Sequence, residues 1–127
     1  MESPTMPPRD EVATDETQNL ISADKVVGTA VYNRQSEHLG SVHGLMLNKL
    51  DGDVAYAIMS FGGFLGMGES YHALPWRVLT YDKRQEGYVV DLDRSRLKAA
   101  PSFTRSNAPD WDTHGKTVDE YYGVPPI

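Results

Sequence analysis

The stretch Leu39-Gly40-Ser41-Val42-His43-Gly44-Leu45-Met46-Leu47-Asn48-Lys49-Leu50-Asp51-Gly52-Asp53-Val54-Ala55-Tyr56-Ala57-Ile58-Met59-Ser60-Phe61 decides the class of fold. From Leu39 to Lys49 the apolar residues recur with a period near two, the spacing of a strand rather than a helix. Gly40 and Gly44 interrupt it and mark bends or bulges. Asp51-Gly52 is a strong hairpin signal, because both residues tolerate the left-handed backbone of a tight turn. Val54 to Phe61 then reads as a second long strand, apolar on both faces. Two such strands joined by a tight turn are the centre of a β domain.

Working outward, the same period runs from Leu20 to Leu92, broken by turn residues every 8–12 positions, the pattern of a small barrel or sandwich. Lys25 to Tyr32, rich in Val and Thr, reads as the first strand and Asn33 to Glu37 as a polar loop. Ser70 to Leu74 is a strand ended by Pro75. Val78 to Tyr81 and Tyr88 to Leu92 form a last hairpin. Asp93 is placed to cap a short helix, Arg94 to Ala99, that Pro101 stops. The fold expected is all-β: a small closed barrel of about six strands, with a short C-terminal helix and an irregular tail.

Three regions follow. Residues 1–18 hold five acids against Arg9 alone, with Pro4, Pro7 and Pro8 and few aliphatics. Such a segment buries too little apolar surface to offset its ordering entropy, so a disordered acidic tail is expected. Residues 19–100 form the barrel domain. Residues 101–127 carry Phe103, Trp111, Tyr121 and Tyr122, and are expected to pack on the barrel or on a partner.

Composition excludes several functions. The 127 residues carry a formal charge of −6 and no cysteine. A net acidic chain lacks the basic face with which nucleic-acid binders neutralise phosphates. Without cysteine there are no disulfides, thiolate nucleophiles or Cys-based metal sites. The longest uncharged run, Val54 to Gly68, is 15 residues with four glycines, short of the ~20 apolar residues of a spanning helix. No basic, apolar leader opens the chain, so a cytoplasmic location is expected.

The motifs point to structure rather than catalysis. Gly62-Gly63-Phe64-Leu65-Gly66-Met67-Gly68-Glu69 lacks the lysine and following helix of a phosphate loop. Its glycines Gly62, Gly63, Gly66 and Gly68 read as a corner turn that presents Phe64, Leu65 and Met67. The four histidines show no metal-ligand spacing, and Ser60 does not sit in a nucleophile elbow. No catalytic, cofactor or metal site is expected. Pro75 and Trp76 read as a strand stop and a plug for one barrel end.

Taken together, Ser22-Ala23-Asp24-Lys25-Val26-Val27-Gly28-Thr29, Leu39-Gly40-Ser41-Val42, Ala55 through Glu69 and Leu74-Pro75-Trp76-Arg77-Val78-Leu79 resemble the PRC-barrel family. That family includes the cytoplasmic domain of the photosynthetic reaction centre H subunit and the C-terminal domain of a ribosome maturation factor. The resemblance covers about Leu20 to Ala99. It implies a small closed barrel used as a docking or assembly module, with no catalytic residues to carry over. The expectation is a non-enzymatic protein-interaction module with a protein partner and no nucleic acid or membrane insertion. Only one face of Val54–Phe61 can point into a barrel, so the other must be covered by the C-terminal segment or by another subunit; a homodimer is expected, with Phe61, Phe64, Leu65 and Met67 in its interface. The alternative is a small-molecule-binding barrel, with Trp76, Tyr71 and Tyr56 around one pocket.

Overall fold

The computed structural model describes residues 16–17, 19–61 and 70–125. Six strands form one mixed sheet: β1 (Ala30–Tyr32), β2 (His38–Leu47), β3 (Val54–Phe61), β4 (Ser70–Pro75), β5 (Leu79–Asp82) and β6 (Gly87–Val90). Their spatial order is β4-β3-β2-β1-β6-β5, and β1 runs parallel to β6 while all other pairs are antiparallel. The β2–β3 hairpin turns at Asn48–Asp53, with Gly52 at φ +82. β2 bulges at His43, between Val42 and Gly44, and β3 bulges at Ala55, opposite Met46 and Leu47, which lets these long strands curl. Gly40 brings β2 and β3 together: a Cβ there would stand 2.0 Å from the Ser60 carbonyl oxygen.

Among the described residues three α-helices accompany the sheet. A single turn, α1 (Ala23–Val26), is capped by the Ser22 hydroxyl; it replaces the start of the expected first strand, which begins only at Ala30 after Gly28 at φ +93. Asp93 caps α2 (Arg94–Ala99) by accepting from the Arg96 N–H. The twelve residues Trp111–Tyr122 form α3, where an irregular tail was expected. Its ends carry ordinary signals, Asp110 as N-cap and Gly123 at φ 67 as the left-handed stop. Its interior hid them, since Thr113, Gly115 and Thr117 are weak helix formers. Packing supplies what propensity lacks.

The concave face holds the main core, in which Val31, Val42, Met59, Leu74 and Leu97 are fully buried. On the opposite face of β3 and β4, Tyr56 and Ala73 pack against Val118 of α3. The second apolar face of Val54–Phe61 is thus covered by the chain's own C-terminal helix. The Tyr56 hydroxyl donates to Asp119 Oδ1 at 2.9 Å and approaches the Gly115 carbonyl at 3.3 Å. Burial first, and then the Asp119 carboxylate, push the Tyr56 phenol up to about 12.

The expected closed barrel is an open half-barrel. β4 and β5 stand at the two ends of the sheet and do not pair. Two features explain the opening. β1, β6 and β5 have only three or four residues each, too short to wrap round to the far edge. The free side of β4 is also taken, because Tyr71 and Phe103 exchange two backbone hydrogen bonds of 2.8 and 3.0 Å.

Candidate functional site

Pro75 ends β4 at φ −53, and a single 3₁₀ turn, Trp76–Val78, carries the chain to β5 at the other edge. This crossover sets the Trp76 indole at the mouth of the half-barrel. The β5–β6 hairpin brings two more rings beside it. Asp82 holds that hairpin's turn, accepting from the Arg84 N–H and the Gln85 amide at 2.9 Å each, while Glu86 takes a left-handed φ of 53. Hydrogen bonding from Gln85 and then from the Arg84 backbone holds the Asp82 carboxyl below its usual range. The outcome is a row of rings in which Tyr88 lies 5.3 Å from Trp76 and 5.2 Å from Tyr81, centre to centre.

These rings wall a trough of about 880 Å³, completed by Leu79 and by Glu16, Thr17, Asn19, Leu20 and Ile21. Lys25, Lys83, Glu16 and Glu86 stand on its rim. Burial, followed by the charges of Glu16 and Glu86, raises the Tyr81 phenol above its ordinary value. A second trough of about 790 Å³ begins on the other side of Trp76 and runs past Arg77, Asp51 and Asp53 toward Val124. Asn19, Leu20 and Trp76 belong to both. Trp76 therefore borders both depressions. Beside it runs β5, which among the described residues pairs only with β6.

A profile described as the PRC-barrel domain matches residues 18–97. The chain belongs to the PRC-barrel family. The PRC-barrel match takes in all six strands and stops before α3, so the helix on the outer face lies beyond it. Compared with curated proteins, the chain has no match.

Several residues singled out from the sequence take definite places on this PRC-barrel frame. Phe61, at the end of β3, is half-buried and meets the His72 ring edge-on at 5.6 Å. Pro75 is buried opposite Tyr56, and Trp76 is half-buried against Tyr88. Phe64, Leu65 and Met67, with Gly62, Gly63, Gly66 and Gly68, lie outside the described residues. Trp76, Tyr71 and Tyr56 do not share one pocket. Tyr56 and Tyr71 face the C-terminal segment, against Trp111 and Phe103 respectively, whereas Trp76 opens on the trough. They are separated because the 3₁₀ turn after Pro75 carries Trp76 away from β4 toward β5, off the face that Tyr56 and Tyr71 share.

The histidines are scattered likewise. His38 meets Tyr32, His43 meets Tyr71, and His114 lies between Phe103 and Trp111. Among the described residues no three His, Asp or Glu side chains are grouped to hold a metal ion. Nor is any helix among them long and apolar enough to cross a membrane. The trough was missed in the sequence because its walls come from residues 16–17, 19–29 and 76–88, brought together by the parallel β1–β6 pairing. Trp76, Tyr81 and Tyr88 were visible only as strand residues or a plug.

Proposed function

We propose that this PRC-barrel chain is a non-enzymatic protein-interaction module that holds an extended segment of a partner along the trough beneath Trp76. The observation carrying this reading is the pair of depressions that share Trp76, flanked by β5, whose outer edge has no partner among the described residues. An extended chain fits such a site by laying alternate side chains into it while its backbone runs beside the edge. The test is capture from a native extract with wild-type protein, Tyr81→Arg and, as control, Glu120→Arg. Glu120 is exposed on α3, which packs on the other face of the sheet and lines neither trough. A specific partner is expected with wild type and Glu120→Arg and lost with Tyr81→Arg. Identical capture by all three overturns the reading.

Self-association is the second half of the proposal: a homodimer in the cytoplasm with Phe61, Phe64, Leu65 and Met67 in its interface. Light scattering on wild type and on Phe64→Asp with Leu65→Asp tests it, and a wild type that stays monomeric at high micromolar concentration ends it. The alternative of a small-molecule-binding barrel is favoured by one number, the trough's volume of about 880 Å³, within the range of ligand pockets. Native mass spectrometry of freshly purified protein separates the two, because a retained small ligand adds a fixed mass that Trp76→Ala removes.

A further inference from the structure

We propose that the trough takes an arginine side chain of an extended partner segment, its guanidinium laid on the aromatic row at Tyr81 and paired with the Glu16 and Glu86 carboxylates. The proposal rests on the reading of the trough as a site for an extended segment and names the chemistry that segment presents. Its first support is the wall. Trp76, Tyr88 and Tyr81 stand in a row at spacings of 5.3 and 5.2 Å, and the outer two are only half-buried. Adjacent rings are inclined by 58° and 66°, so none covers its neighbour's face by parallel stacking. Ring faces carry negative potential and attract a cation within about 6 Å of the ring centre.

The second support is the sign of the charge at the row. Glu16, Glu86, Lys25 and Lys83 all line the trough, but the carboxylates are the charges that the phenols register. Tyr81 is raised by burial, then by Glu16 and Glu86, and Tyr88 by burial, then by Tyr81 and Glu16. Neither lysine contributes to either shift. Among the described residues neither carboxylate is ion-paired, since the two ion pairs join Arg34 to Asp91 and Arg94 to Glu37. The neighbouring depression agrees in sign, with Asp51 and Asp53 set against Arg77 alone. Rings and carboxylates therefore favour the same charge in a ligand.

Geometry selects arginine on an extended chain. Leu79 and Tyr81, two apart on β5, both line the trough, whereas Thr80 between them does not. A segment laid along that edge puts every second side chain over this face. A guanidinium there stacks flat on the Tyr81 ring while its edge N–H groups still donate to a carboxylate. A lysine ammonium holds its water more tightly and offers no plane to stack. The chain's formal charge of −6 adds attraction for a cationic segment at longer range.

The test titrates the full chain with three end-blocked peptides, Ser-Val-Arg-Val-Ser and its lysine and citrulline counterparts, followed through backbone amide resonances. Citrulline keeps the shape and planarity of arginine without the charge. The expected result is saturable movement of the Leu79–Asp82 and Glu86 amides with the arginine peptide, while those of α3 stay fixed. The arginine δ-methylene protons should move upfield in the ring currents, an effect lost with Tyr81→Leu. The lysine and citrulline peptides should bind roughly tenfold more weakly. Glu16→Gln with Glu86→Gln, both at exposed positions, should weaken the arginine peptide to the citrulline level and leave the melting temperature unchanged. Equal affinity for the arginine and citrulline peptides overturns the cationic occupant while leaving the segment-binding reading intact. Lysine bound as tightly as arginine overturns the stacked guanidinium. An unaltered affinity in the double glutamine variant removes the carboxylates from the site and overturns the proposal. No response to any of the peptides at millimolar concentration also overturns it, while capture from extract still decides the segment-binding reading.

Discussion

The two halves of the sheet are built to different standards. β2, β3 and β4 have ten, eight and six residues, with the core on one face and α3 on the other. Even the free side of β4 is tied to Phe103. β1, β6 and β5 have three or four residues each, and β5 ends the sheet with no neighbour on its outer side among the described residues. An uncovered edge invites pairing with other chains, and proteins usually blunt it. Here the cover is spent on one edge and the other borders the trough. Under the proposed function, the long half is the scaffold and the short half the surface offered for binding.

Substitutions should therefore cost far more in the long half. The largest effect is expected for Met59→Ala, which empties a fully buried position on β3 and should lower unfolding stability by about 2–5 kcal/mol. Denaturant melts will show it; a loss no greater than that of a surface change on β5 would erase the distinction between the halves.

Tyr56→Phe comes next. It removes the hydroxyl that donates to Asp119, a side chain only 4% exposed, and leaves that acceptor buried without its donor. The expected loss is about 1–3 kcal/mol, and Tyr56→Phe combined with Asp119→Leu should recover part of it. A null result for Tyr56→Phe would mean that α3 is held on the sheet by apolar contact alone.

Acid should act on the same half. Burial holds the imidazoles of both His72 and His114 below the ordinary 6.5, opposed at His72 by a hydrogen bond with the Pro101 backbone. In the unfolded chain each takes up a proton near pH 6.5, whereas the folded protein resists it. The stability they secure is complete above pH 6.5 and falls as the pH drops toward the lowered folded values. Chemical denaturation at a series of pH values checks this, and His114→Gln should flatten the fall. A midpoint rising on acidification through this window would reverse the sign.

The smallest effect is expected on β5. Thr80→Ala, at an exposed position, should change stability by no more than about 0.5 kcal/mol. Native-state hydrogen exchange sharpens the contrast, with the β5 amides opening well before those of β3. Uniform protection across the sheet would break it.

How much of this was legible depends on the distance over which each feature is determined. Strand alternation in Leu39–Phe61, the Asp51-Gly52 turn, the stop at Pro75 and the Asp93 cap are each settled within a few residues, and the family resemblance rests on the same local signals. The expected closure failed because closure compares strand lengths at opposite ends of a sheet and asks what already occupies the edge. Tyr71 meets Phe103 through the backbone, which no local pattern announces.

By itself, then, the amino-acid order determined a PRC-barrel domain of about six strands, the Asp51-Gly52 turn and the Asp93 cap of α2, since backbone sterics and side-chain alternation act between near neighbours. Only the tertiary structure decided that the barrel stays open, that α3 roofs one face, and that Trp76, Tyr81 and Tyr88 line one trough. Those outcomes depend on contacts such as Tyr56 with Asp119, 63 residues apart. Contacts at that separation form only when burial of the whole apolar surface outweighs the entropy of closing the chain between them.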